Sequence, residues 1–500
     1  MPDAKHVADL TPRRVRTDNV ESSDDFDLHR PPAGTCLDRK RLTQEAVPDG
    51  VHQDCPILAS QGQGRVGSPN PEHPMNTTPP FDLVIGLDRS DRKADLYRID
   101  LPTGAEQRQI IPTSPEALQA WADALHAAHP KARVAICFEQ PANNLIAFLT
   151  RYPWITLYPI NPISLQKFRE VFVVSRAKDD GKDAEYLARL LAAHHDRFQP
   201  WHPDTQQTRL LERLVVDRRS VVDHRTGLCN RLQAVLKDYF PQALDLAGEE
   251  LWRPLGTAFL KRWPTLQAVQ KAKPLAIRQF YYAQGSRSEK LIQERLNRIA
   301  HAVPLTDDPA LLDSYALRVC LTVQELELVT RTVKLYDQKI AAVFAEHPDR
   351  EIFRNLPGAG PVFGPRLLTS FGTRREEYPK ATHVQRASGI APVTKQSGTS
   401  KQVHRRYRCS VFFKQSIHEW AGESRLWSGW ARAFYEMKRA GGMGHHAAVR
   451  SLAYKWLRVV WRCWQDREVY REDRYLAALK KYGSPVIAWM EKHPVPASAS

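Results

Sequence analysis

The sequence predicts a mixed α/β domain at residues 81–202, a long helical region at 203–350 and a smaller, mainly helical domain at 351–475, with 476–500 as a tail. Three observations predict this. Apolar runs of strand length alternate with amphipathic runs of helix length in the first segment. Helical periodicity without strand patterning fills the second, where Leu210, Leu214, Val221, Leu228, Leu232 and Val235 recur at helical steps. A Gly/Pro-rich turn between apolar helical segments opens the third.

In the first segment "FDLVIGLDRS" reads as a buried strand, and "KADLYRIDL" and "EQRQIIP" as its hairpin partners. Ser114 and Pro115 open the helix "SPEALQAWADALHAAH", an N-cap followed by proline at the first helical position. "ARVAICFEQ" is a strand, "NNLIAFLTRY" a helix and "ITLYPINP" a strand, and a last helix follows in "AKDDGKDAEYLARLLAAHH". Hairpin strands followed by alternating helices and strands make a mixed sheet of the ribonuclease H type. The long amphipathic helices of the second segment suit an intramolecular bundle or a coiled-coil dimer arm. Residues 1–80, rich in Pro, Asp, Ser, Gly and Gln, read as a disordered extension, with Met75 as a possible true start.

The chain carries 72 Lys and Arg against 56 Asp and Glu, a net charge of +16, with a sequence pI near 9.5. Such a balance points to a polyanionic partner, since clustered cations gain affinity by displacing phosphate counterions. No apolar run approaches the roughly 18 residues of a membrane-spanning helix. The seven cysteines form no CxxC pair, which argues against a zinc site or a disulfide framework and for a cytoplasmic protein.

Four carboxylates carry the chemical expectation. Asp88 ends the first strand, Glu139 ends a later one, and Asp180 and Asp183 share one face of a helix start. Sites in open α/β sheets form at the carboxyl ends of strands, which puts all four at one edge. Carboxylates gathered there repel unless cations sit between them, and two Mg²⁺ ions are the usual solution in phosphoryl transfer. Asp91, Asp95 and Asp179 read as solvated or capping residues.

In the third segment, "NLPGAGPVFGPRLLTSFG" places Gly358 and Gly360 in a turn between helices, leaving backbone N–H groups open to a phosphate, as in a helix-hairpin-helix. Next, Ser397, Gly398, Thr399 and Ser400 form a polar loop flanked by Lys395, Lys401, Arg405, Arg406 and Arg408. A serine among cations can meet a phosphate as ligand or nucleophile. Tyr407 reads as a stacking platform, His445 and His446 as helix-start or phosphate-contacting residues, and Trp456, Trp461 and Trp464 as core.

In that order, "VIGLDRSDRKADLYRI", "CFEQPANNL", "AKDDGKDAEYLA", "LPGAGPVFGPRLL" and "ASGIAPVTKQSG" resemble the insertion-sequence 110 (IS110) family of transposases. The resemblance covers roughly residues 81 to 475 and implies a RuvC-like DEDD domain, a helical middle and a serine-bearing C-terminal domain. It further implies a DNA recombinase that uses Mg²⁺ and is guided by a structured RNA pairing with donor and target duplexes. The family's assemblies of dimers imply a dimer or tetramer here, acting in the cytoplasm on nucleoid DNA. The family's acidic residues fall on Asp88, Glu139, Asp180 and Asp183, and its nucleophile on Ser397. The family's Ser-Ser-Gly-Gly run is replaced by Gln396, Ser397, Gly398 and Thr399, which keeps Ser400 as a second candidate. A RuvC-like endonuclease using water, such as a junction resolvase, and a non-catalytic nucleic-acid scaffold are the alternatives.

Overall fold

A central strand with no polar face organises the first part of the chain. The computed structural model describes residues 80–139, 143–172, 180–398, 400–407 and 409–494. The expected disordered extension, apart from Pro80, lies outside these residues, as do Asp179, Arg408 and the side chains of Asp180 and Lys401. Strands β1 (Leu83–Arg89), β2 (Lys93–Asp100) and β3 (Glu106–Pro112) form an antiparallel meander. Helix α1 (Pro115–Ala128) leads to β4 (Val134–Glu139), and α2 (Asn143–Leu149) leads to β5 (Ile155–Ile160). β4 runs parallel to β1 and β5 parallel to β4, giving the order β3-β2-β1-β4-β5. This is the mixed sheet of ribonuclease H and RuvC type that the sequence predicts.

Both sheet faces are covered, which is why β1 is apolar from Leu83 to Leu87. On one face Ile85, Leu87, Ile136 and Phe138 pack with Trp121 and Leu125 of α1. On the other, Val84, Ala135 and Cys137 pack with Leu187, Ala188 and Leu191 of α4 (Asp180–His194). Helix α3 (Pro162–Phe172), which the sequence reading left unassigned, precedes α4. Helix α4 lies so close to β1 that a Cβ added to Gly86 would stand 1.9 Å from the Ala184 carbonyl oxygen and 2.6 Å from the Ala188 nitrogen.

The helical region is built on α5 (Gln206–Tyr239) and α11 (Pro309–Ala345). They run antiparallel: Gln207 near the start of α5 donates to the Val343 carbonyl near the end of α11 at 3.2 Å. Between them α6 (Ala243–Leu246), α7 (Pro254–Arg262), α8 (Leu266–Gln270), α9 (Pro274–Ala283) and α10 (Glu289–His301) close a core with Leu228, Leu232, Phe259, Tyr281, Val323 and Leu326. One apolar stripe of each of α5 and α11 is thus used within the chain. Among the described residues, no helix is long and apolar enough to cross a membrane.

The last part comprises α12 (Arg350–Arg354), α13 (Gly360–Phe371), α14 (Ala381–Ala387), β6 (Val393–Ser397), β7 (Ser400–His404), α15 (Val411–Ser424), α16 (Gly429–Ala440), α17 (His445–Asp466), α18 (Glu472–Lys481) and α19 (Pro485–Lys492). Trp420, Trp430, Trp456 and Trp464 are fully buried at its centre. Each indole N–H is satisfied, by the Pro357 carbonyl, Tyr470, Ser424 and the Gly372 carbonyl respectively. Two expectations are corrected here. The polar serine loop is a β-hairpin, and the tail contains a helix. Ser484 caps that helix, Pro485 sits in its first turn, and Val486 is buried in the tryptophan core, so the Gly-Ser-Pro run is a helix start.

Gly86→Ala would press a methyl group into backbone that cannot move aside, with an expected loss of about 3 kcal/mol in denaturant titration. Gly227→Ala in α5, where an added Cβ meets nothing within 4 Å, is the control and should stabilise by about 0.5 kcal/mol.

Candidate active site

Strand register does most of the positioning. β1 and β4 pair in parallel up to Leu87 beside Phe138, so the next residues, Asp88 and Glu139, occupy adjacent strand-end positions. Side chains alternate along a strand, and Asp88 follows Val84 and Gly86 on the α4 face as Glu139 follows Ala135 and Cys137. Helix α4 begins over the same edge. Ala184 rests on Gly86, and Asp183, the residue before it, is only 4% exposed. Asp180 is the first residue of this helix. Asp88, Glu139 and Asp183 thus share one edge of one sheet face, all on elements the sequence reading identified.

Two residues it did not assign to the site join them. Asp95, read as solvated, lies directly across from Asp88 in the β1–β2 pairing and forms an ion pair with Lys93 at 3.2 Å. Arg169 of α3 pairs with Asp183 at 2.8 Å. A carboxylate this buried stays ionised only beside a cation, and here the guanidinium supplies it. The signal for α3 is present in the sequence: Asn161 precedes Pro162, and its side chain accepts from the Ile163 N–H at 3.0 Å, an N-cap followed by proline.

Among the described residues, no group of three or more His, Cys, Asp and Glu side chains is drawn together closely enough to hold a metal ion. The donor chemistry nevertheless suits a hard divalent cation, since every acidic group at this edge offers carboxylate oxygens. Arg169 occupies the counter-charge position at Asp183.

Ser397 stands elsewhere, on the C-terminal core. It ends β6 and pairs with Ser400, the first residue of β7, across a two-residue tip. Gly398 there has φ +55°, the left-handed conformation that tight hairpin tips require. Both serines are exposed. Lys395 is exposed on the same hairpin, and Arg405 follows it with its guanidinium 5.7 Å from the centre of the Tyr407 ring. Tyr407 is 77% exposed, as a stacking platform must be. Arg406 donates from its Nε to the Ala391 carbonyl at 3.1 Å. In the glycine turn, Gly360 (φ +50°) is open, whereas Gly358 (φ +69°) is covered by Trp427, 2.6 Å from an added Cβ. Gly360 is exposed and Gly358 half-buried.

Comparison with known families matches both halves of this arrangement. The family model for the DEDD transposase domain of IS110 matches residues 85–241, which contain all four carboxylates. The model for the transposase IS116/IS110/IS902 family matches residues 350–436, which contain the glycine turn and the serine hairpin. The chain belongs to the IS110 family of transposases. The IS117 mini-circle protein of Streptomyces coelicolor is 27% identical to this IS110-family chain over 327 residues, 65% of the chain and 79% of that protein. The 44.8 kDa protein of insertion element IS116 from Streptomyces clavuligerus is 23% identical over 310 residues, 59% of the chain and 72% of its own length. The 43.6 kDa protein of insertion element IS110 from Streptomyces coelicolor is 23% identical over 312 residues, 61% and 74% of the two lengths.

Arg169→Met removes the guanidinium paired with Asp183 in this IS110-family transposase. The expected loss in metal-free buffer is about 3 kcal/mol by denaturant titration. Added Mg²⁺ should restore part of that loss, more in the variant than in the wild type, because the cation and Arg169 compensate the same carboxylate; equal effects on both proteins would exclude that shared role.

Proposed function

We propose that this transposase cuts and rejoins donor and target DNA through attack by Ser397, with a divalent metal held by Asp88, Glu139, Asp180 and Asp183, under the direction of a structured RNA. The observation that carries this reading is the division of labour. A carboxylate edge lies on the N-terminal sheet, while a serine is exposed at the tip of a cation-flanked hairpin on a separate core.

In the proposed step, the Ser397 Oγ forms a bond to phosphorus as the bond from phosphorus to a sugar oxygen breaks. The serine proton passes to solvent or to a neighbouring carboxylate, and the departing sugar oxygen takes up a proton to become a free hydroxyl. The strand remains joined to the protein as a phosphoserine diester, and attack by a hydroxyl of the exchanged strand reverses the chemistry. When bound, Mg²⁺ would neutralise the phosphate oxygens and favour the serine alkoxide. Such a displacement needs positioning more than strong acid-base catalysis.

The hairpin fits the nucleophile's role because a two-residue tip projects its flanking serines into solvent, where a duplex can reach them. Lys395, Lys401, Arg405 and Arg408 would grip backbone phosphates, and the open side of Gly360 would add backbone contacts. Sequence choice would lie in base pairing between the guide RNA and DNA rather than in protein side chains, by analogy with other guided systems. A homo-oligomer is supported by Leu317, Leu321, Leu328 and Leu335 on the outward face of α11, which are 63%, 52%, 57% and 58% exposed at steps of four and seven residues. A second copy would bring the serine of one subunit to the carboxylates of another. We place the reaction on nucleoid DNA in the cytoplasm.

Incubation of the protein with Mg²⁺, a cognate guide RNA and donor and target duplexes should yield a denaturation-resistant protein–DNA adduct. Ser397→Ala and Asp88→Ala should abolish it, while Ser400→Ala should retain it. Cleavage without an adduct, surviving Ser397→Ala, would sink the serine mechanism and identify a water-using RuvC-like endonuclease. DNA binding without cleavage in any form would leave only a scaffold.

A further inference from the structure

We propose that His418, Arg425, His445, His446 and Arg450, with Arg405 at their edge, form a binding site for a nucleic-acid backbone phosphate at the foot of the serine hairpin. This rests on the reading of the chain as a DNA-joining enzyme and assigns that enzyme a phosphate grip apart from both the carboxylate edge and the serine.

Side chains from three helices and the segment after β7 converge there. The rings of His418 on α15 and His446 on α17 lie 5.8 Å apart, and those of His445 and His446 4.9 Å apart. His445 Nδ1 is 2.8 Å from the hydroxyl of Tyr435 on α16, and the Arg425 guanidinium lies 4.7 Å from the centre of the Tyr435 ring. Arg450 is four residues beyond His446 on the same face of α17. Burial, and then the charge of Arg405, hold the Arg450 guanidinium below its ordinary pKa, so the cluster reaches the residue that follows β7.

What the cluster lacks is negative charge. Glu419, beside His418, is turned to Arg366 at 2.7 Å and Arg219 at 3.2 Å. Glu423 accepts from the Trp427 indole at 3.2 Å. Among the described residues, Arg405, Arg425 and Arg450 form no ion pair with a carboxylate, although such pairs are numerous elsewhere in the chain. The histidines register the same field. Burial, with Arg450 and His446, pushes His418 down to about 4 against a partial opposing effect of Glu419. Burial, with His446, Arg425 and Arg439, also lowers His445.

A phosphodiester fits this cluster in charge and geometry. Its two non-bridging oxygens accept from guanidinium forks and imidazole N–H groups, and its single negative charge relieves the repulsion among the cations. Exposed Tyr407, with Arg405 against its ring, offers a surface for an adjoining base. Duplex DNA and folded RNA present the same group, so the test carries both.

The full-length protein is titrated in metal-free buffer with a labelled random-sequence duplex DNA and, in a parallel arm, a labelled RNA hairpin, each across a salt series. Arg425→Gln, Arg450→Gln and the double variant are compared with wild type. Arg474→Gln, an exposed residue paired with Glu468, is the control. Removing one phosphate-binding guanidinium should weaken binding and reduce the slope of log affinity against log salt, by about 0.9 on duplex DNA and in the same direction on the RNA hairpin. The control should leave the slope unchanged, and unaltered melting temperatures would show that the variants fold. A reduced slope in either arm supports the site and tells which nucleic acid occupies it. Wild-type slopes in both arms from folded variants would overturn the site while leaving the adduct chemistry untouched. Absence of salt-dependent binding by the wild type would overturn the site and the DNA-joining reading together.

Discussion

The contact of helix α4 with β1 at Gly86 is the constraint on which the N-terminal site depends. Only a residue without a side chain lets helix backbone rest on strand backbone, and once seated there the helix has little freedom to rotate or slide. Its first turn is thereby held over the strand end that carries Asp88, and Asp183 is driven into a buried position. Burial at that point obliges the protein to supply a positive charge, which Arg169 provides from α3. A packing requirement at one glycine thus dictates an electrostatic one two elements away.

The C-terminal core meets a related problem with different residues. Four tryptophans fill its centre, and because each indole N–H has an acceptor the aromatic mass adds no unsatisfied polar group. Arg366, buried against Phe363 and Phe412, is held by Glu419, which also reaches Arg219 of α5. That carboxylate ties three helices together and is consumed in doing so. The adjacent His418 is left facing cations with only a partial opposing effect from Glu419, so the interior order of this core shapes the charge of its surface.

Where a segment buries one face or both, the sequence was a sound guide. β1, β4 and β5 are apolar because both sides of the sheet are covered, α1 declares itself by Ser114 and Pro115, and the acids at strand ends and helix start could be placed from those elements alone. Reading failed where burial is thin. β6 exposes four of its five residues, so no alternation betrays a strand, and only Gly398 hints at the turn. α3 escaped although Asn161 and Pro162 mark its start, and Arg169 was missed with it. Asp95 looked solvated beside Lys93, and only the β1–β2 register reveals that it stands across from Asp88. The carboxylate edge was legible because strand topology carries it; the histidine–arginine cluster was not, since its members are scattered over forty-six residues and meet only through helix packing.

The antiparallel pair of α5 and α11 leaves the C-terminal core and returns to the same place. Leu211 and Val215 near its start share that core with Ile340 and Phe344 near its end, while the small helices α6 to α10 pack on the far half, from Leu228 onward, about 20 Å of helix beyond Val215. A detour that begins and finishes at one point is modular. Whole turns can be inserted into or removed from both arms together without altering how the root packs, so the span of the molecule is an evolutionarily adjustable dimension, separate from the chemistry at either site.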